Sequence, residues 1–166
     1  MIDQVTPERC IEFAIRTEEI GAQMYRDLAK RFASDRELRE LFEGLAQDEM
    51  QHGDHFRGLH DRLVPRFRDQ PVSTEQQDYL RAMSMSEVFD TEALSKRVDE
   101  IRTREDALER ALGLEKATLA YYQAMREILG ADDVLDSLIT VEKRHVVKVM
   151  QLLLTGAKFR GLADAF

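Results

Sequence analysis

The chain has 166 residues, of which 43% are apolar and 34% charged, with only 3 Pro and 8 Gly; this suits one helix-rich globular domain and excludes a disordered chain. Its formal net charge is -8 with no basic cluster, which argues against sequence-independent binding of nucleic acid. No apolar run approaches the ~20 residues needed to cross a bilayer, and the lone cysteine, Cys10, excludes an intramolecular disulfide, a CxxC zinc knot or a rubredoxin-type iron site built within the chain.

The opening MIDQVTPERC mixes charges of both signs and lacks the apolar core of a signal peptide, so the expected location is cytoplasmic. Thr6, Pro7 and Glu8 mark a helix start: a capping hydroxyl, a proline at the first helical position and an acid in the first turn. From there Ile11, Ala14, Glu18, Gly21, Tyr25, Leu28 and Phe32 alternate spacings of three and four, predicting a bundle helix over 7–33. Ser34 or Asp35 caps a second helix over 35–63, with the seam Leu38, Phe42, Leu45, Glu49, His52, Phe56, Leu59 and Leu63. Pro65 and Pro71 end it and open a connection over 64–103. Within that connection, Ser73 or Thr74 caps a short helix through Met83, and Thr91 a second through Arg102. Thr103 and Asp106 form a capping box for a helix over 104–130, with the seam Leu108, Ala111, Glu115, Thr118, Tyr122, Met125 and Leu129, stopped by Gly130. Asp132 or Asp133 caps the last helix, over 133–155, whose seam is Leu135, Leu138, Glu142, His145, Val149 and Leu152.

Two helical hairpins joined by a crossover follow, and the halves repeat. Adding 97 to Ala14, Glu18 and Tyr25 gives Ala111, Glu115 and Tyr122; adding 93 to Leu45, Glu49 and His52 gives Leu138, Glu142 and His145.

The informative residues are the polar ones on these apolar seams. Each seam is broken near its middle by a Glu, and two carry a His one turn later. Residues three apart lie roughly 60° apart around a helix, so Glu49 and His52 project from one face, as do Glu142 and His145. When four such seams converge, four carboxylates and two imidazoles meet at one level of the core. Burying one unpaired carboxylate costs several kcal/mol, and four repel one another as well. No Lys or Arg lies on the seams, whereas two divalent cations neutralise four carboxylates. A mixed oxygen and imidazole set suits iron or manganese better than calcium or magnesium. Glu19 is the rival to Glu18, and the phase of Tyr25 and Leu28 selects Glu18.

One Glu from each of two helices plus Glu-x-x-His from each of two others is the ligand pattern of ferritin-like di-metal bundles. AIRTEEIGAQMYRDLA and LFEGLAQDEMQHGDHF resemble the first two helices of rubrerythrin-like proteins, and ALGLEKATLAYYQAM and LITVEKRHVVKVM resemble the last two. The resemblance implies an all-α, ferritin-like four-helix bundle holding two iron ions, with Mn or Zn as possible substitutes. It implies that Glu49 and Glu142 bridge the metals, that Glu18 and His52 complete one, and that Glu115 and His145 complete the other. Rubrerythrins proper carry a further Glu three residues after the third-helix ligand; here that residue is Thr118, which leaves a symmetric six-ligand site closer to bacterioferritin. Met50 stands where bacterioferritin places a haem ligand, a residue type also found in relatives without haem. Tyr25 and Tyr122, two turns along from Glu18 and Glu115, are either core aromatics with no further role or donors of hydroxyl hydrogen bonds that orient metal-bound carboxylates.

The function expected from this resemblance is that of a small oxidoreductase, a rubrerythrin-like peroxidase or ferroxidase in which a reduced metal pair gives two electrons to peroxide or dioxygen. Glu49, Glu142, Tyr25 and Tyr122 are the residues expected nearest the chemistry. An external electron donor and a homodimer belong to this expectation. Iron storage or handling, and a metal-dependent sensor or adaptor that uses 64–103 as its partner surface, are the alternatives.

Overall fold

A computed structural model describes residues 6–67, 73–84 and 98–163. These form five helices and, among the described residues, no strand: α1 Pro7–Arg31, α2 Arg36–Phe67, α3 Thr74–Ser84, α4 Arg104–Leu129 and α5 Asp133–Ala163. The chain is an all-α, ferritin-like bundle of four long helices, with α3 lying in the crossover. No helix among the described residues is long and apolar enough to cross a membrane.

Each helix begins where a short polar side chain replaces a missing backbone partner. The Thr6 hydroxyl accepts from the Arg9 amide at 3.3 Å. Asp35 rather than Ser34 caps α2, its carboxylate accepting from the Leu38 amide at 3.1 Å. Ser73 and Gln76 open α3 with reciprocal bonds of 3.2 and 3.1 Å. Thr103 and Asp106 do the same for α4, at 3.1 and 3.3 Å. Asp132 rather than Asp133 caps α5, reaching the Val134 amide at 2.9 Å.

Helix ends depart from the expected boundaries. α2 runs through Pro65 to Phe67, because a proline removes its own amide donor without blocking the few residues that complete a last turn. α5 continues past position 155 to Ala163, since Gly156 only weakens a helix unless a left-handed residue or a proline terminates it. Gly130, at φ +81°, does stop α4. The helix expected from Thr91 to Arg102 falls mostly outside the described residues; Val98 and Ile101 are buried against the bundle.

α1 packs chiefly on α2 and α4 on α5, and the two hairpins meet through α1 with α4 and α2 with α5. The interior divides into two apolar clusters. One holds Tyr25, Leu28, Leu38, Phe42, Leu45, Leu108, Ala111 and Val149; the other holds Ile11, Ala14, Phe56, Leu59, Tyr122, Met125, Leu135 and Leu138. Along the chain, α1 and α5 pass from the second cluster to the first, while α2 and α4 pass from the first to the second. α2 and α4 therefore run in the same direction, so the connection between them has to travel the length of the bundle. α3 packs against α4 on that path. Arg104 closes the near end, pairing with Asp35 at 2.6 Å and with Glu37.

Candidate metal centre

Between the two clusters each long helix contributes one turn of polar residues. Glu18, Glu49, His52, Glu115, Glu142 and His145 are all buried there, none more than 4% exposed. Regular helices explain the convergence: the seam that buries Ala14 and Tyr25 also carries Glu18 inward, and the same holds for the other three. All six come from one chain.

The six fall into two overlapping groups whose ligand-type atoms lie within 4.8 Å of one another: Glu18, Glu49, His52 and Glu142, and Glu49, Glu115, Glu142 and His145. Glu49 and Glu142 belong to both groups. The imidazoles lie face to face with ring centroids 5.5 Å apart, each turning Nδ1 inward. His52 Nδ1 lies 2.9 Å from Glu142 Oε1 and 3.6 Å from Glu18 Oε2. His145 Nδ1 lies 3.3 Å from Glu115 Oε2 and 3.6 Å from Glu142 Oε2.

Charge is out of balance in this layer. Burial, then the other carboxylates, lifts Glu49 well above the usual range; burial lifts Glu18 likewise, although the adjacent Glu49 carboxyl opposes it. Glu115 rises to about 7, chiefly through burial, against the pull of His145. Burial acts upward on Glu142 too, but the close approach of the His145 and His52 imidazoles outweighs it and holds the carboxyl at about 2. Burial would lower His145, yet the nearby Glu115 and Glu142 carboxylates raise it to about 11. The protein alone thus fills the layer with shared protons.

Even so, both oxygens of Glu18 and of Glu142, Glu115 Oε2, and Nδ1 of both His52 and His145 lack a hydrogen-bond partner despite being fully buried. Orphaned atoms of this kind are rare in native cores, and here all of them point at the same small volume. Carboxylate oxygens and neutral imidazole nitrogens are the donors that iron, manganese and zinc accept. The residues present therefore fit a pair of divalent ions, and the cluster is able to hold metal.

A family model described as Rubrerythrin matches residues 10–153. The chain belongs to the rubrerythrin family. The match spans all four long helices and the crossover, and both groups of buried ligand-type residues lie inside it. No curated protein and no solved structure gives a match.

Against the pattern of rubrerythrins proper, the place of the further Glu is taken by Thr118, which is buried. Tyr25 does not serve the Glu on its own helix: its hydroxyl donates across the bundle to Glu115 Oε1. Tyr122 is fully buried beside Phe56, with ring centroids 4.8 Å apart, and its hydroxyl has no partner. His55 is exposed and takes no part in either buried group. Met50 is 54% exposed on the outer face, where Arg26 reaches its sulfur at 3.7 Å. Gly21 faces the shared carboxylate: a Cβ there would lie 3.4 Å from Glu49 Oε2, an ordinary contact that leaves room for alanine. Sequence reasoning missed Asp48, whose Oδ2 accepts from His145 Nε2–H at 3.1 Å. Its signal was its place one residue before Glu49, on the shoulder of the seam that faces the neighbouring helix.

Proposed function

We propose that this rubrerythrin-family protein is a di-iron carboxylate oxidoreductase that reacts with hydrogen peroxide or dioxygen. In this reading Glu49 and Glu142 would be shared between the two ions, Glu18 and His52 would complete the holding of one, and Glu115 and His145 that of the other. When bound, the iron pair supplies two electrons for reduction of an O–O bond. The observation that carries the reading is the set of buried, unpartnered, inward-facing oxygens and nitrogens on four helices.

The protein's own part is to bind, orient and shield. Phe42 and Leu45 on one side and Phe56 and Leu59 on the other are buried in the two apolar clusters that flank the polar layer, keeping bulk water from a reduced centre. Tyr25 holds a proton at Glu115 Oε1, which fixes that carboxylate's orientation and leaves Oε2 for the metal. Tyr122 is a second buried phenol, and its hydroxyl has no partner.

Thr118 in place of a seventh ligand favours oxidation of ferrous iron by dioxygen as a second reading within the same chemistry. Anaerobic loading of the metal-free chain with ferrous ion, followed by peroxide in one sample and dioxygen in another, separates the two. Fast appearance of ferric absorbance with peroxide supports a peroxidase, and fast appearance with dioxygen alone supports a ferroxidase. No oxidation beyond the rate of free ferrous ion sinks both. Light scattering separates the expected homodimer from a 24-subunit storage particle.

A further inference from the structure

The two halves of the centre match in ligand type, but the residues behind the ligands do not match. Glu115 has Oε1 tied to the Tyr25 hydroxyl and Oε2 unpartnered. His145 has Nε2 tied to Asp48 Oδ2 at 3.1 Å and Nδ1 unpartnered. Each thus has one atom anchored and the other free to face a cation. Among the described residues, the opposite half lacks both anchors. Tyr122 is the counterpart of Tyr25 by the offset of 97, and its buried hydroxyl reaches no acceptor, while both Glu18 oxygens are unpartnered. The counterpart of Asp48 by the offset of 93 is Val141, a side chain that cannot accept a hydrogen bond. Among the described residues, His52 Nε2 has no partner.

Anchoring of this kind matters physically. A carboxylate on the far nitrogen selects the tautomer that leaves the near nitrogen bare, orients the ring and makes it a better donor; losing it typically costs roughly 10–100-fold in metal affinity. Ligands already held in place also lose less freedom when an ion arrives.

We propose that Asp48 is a positioning residue for His145, and that together with Tyr25 it makes the two metal positions unequal, so that the position formed by Glu115 and His145 fills first and more tightly. This rests on the di-metal reading above and adds an order of filling to it. Glu49 and Glu142 are common to both positions and cannot create the difference. It comes from residues that touch ligands rather than ions. Asp48 has a side chain 43% exposed, so its replacement leaves the packed core intact.

Cobalt(II) is the probe. The metal-free full-length chain is titrated under anaerobic conditions, and crystals grown at one equivalent are examined by anomalous scattering at the cobalt edge. The expected map has its peak beside Glu115 and His145. Asp48→Ala should weaken the first ion by roughly 10–100-fold and leave the second within a few-fold. Asp48→Asn, whose amide oxygen still accepts from Nε2–H, should recover most of the loss. Val141→Asp should tighten the ion beside Glu18 and His52. Melting of the metal-free variants is expected to match the parent, which separates positioning from a folding defect. A first ion beside Glu18 and His52, equal occupancy of both positions, or an Asp48→Ala chain that loses nothing overturns the inequality while leaving the di-metal reading intact. A chain that takes up no cobalt in any form overturns both.

Discussion

A carboxylate in this core is a liability until a cation arrives, and that makes single substitutions at Glu18 informative. Glu18 is fully buried with neither oxygen paired. Glu18→Gln should therefore raise the stability of the metal-free protein by ~1–2 kcal/mol near neutral pH, because the amide needs no proton to be buried uncharged, and lower the number of ions bound. Chemical denaturation with and without chelator checks this; loss of stability in the metal-free state would contradict it. Proton linkage leads to a second expectation. Glu115 ionises near 4.5 in an unfolded chain but near 7 here, and Glu18 and Glu49 are raised as well. Between those values the folded metal-free protein holds more protons than the unfolded chain, so its stability falls as pH rises. His145, raised from 6.5 to about 11, continues the same slope above neutrality. Glu142 acts in another window: its contribution is complete above 4.5 and is lost as pH falls toward about 2. The melting temperature of the metal-free protein should thus decline from about pH 5 to about pH 8, whereas metal displaces these protons and reverses the slope. A flat metal-free profile would show that the layer is hydrated rather than dry. That Glu18, Glu49, His52, Glu115, Glu142 and His145 face inward was legible from seam phase; the sharing of Glu49 and Glu142 was suggested only by the family resemblance. Asp48 and the cross-bundle reach of Tyr25 were not legible, because heptad phase says which residues face inward and nothing about which neighbour a side chain meets.

Helix starts obey local chemistry, and every long helix has a cap that the sequence made visible. Thr103 and Asp106 satisfy two backbone donors reciprocally at the start of α4, so Thr103→Ala should cost about 1 kcal/mol, measured by denaturant midpoint. At the other end, Gly130 adopts φ +81°, where any Cβ is strained. Gly130→Ala should cost a further ~1 kcal/mol. The expected choice between Ser34 and Asp35, and between Asp132 and Asp133, could not be made from spacing, since both members of each pair can cap. The ends of α2 and α5 were legible only within several residues. Pro65 halts its own hydrogen bond but not the last turn, and Gly156 lacks the following signal that would turn the chain away.

At the scale of the whole molecule, the order of apolar and polar turns along four helices was enough to foresee two hairpins, a long crossover and one buried polar level. What periodicity leaves open is direction, and the membership of residues in the two apolar clusters settles it: α2 and α4 are parallel. Loading with metal should stabilise the fold by about 4 kcal/mol at a free-ion concentration 1,000 times the dissociation constant, with chelator reversing the gain; calorimetry at several metal concentrations measures it. One consequence comes from how the ligand sets are divided. The first hairpin owns Glu18, Glu49 and His52, the second owns Glu115, Glu142 and His145, and each group of four borrows one member from across the divide. Neither hairpin by itself assembles a full coordination set. Ion occupancy is therefore a record of successful docking between two separately wound pieces. If the backbone were severed between α3 and α4, the ions would become the rivets joining two fragments, and withdrawing them would let the fragments drift apart.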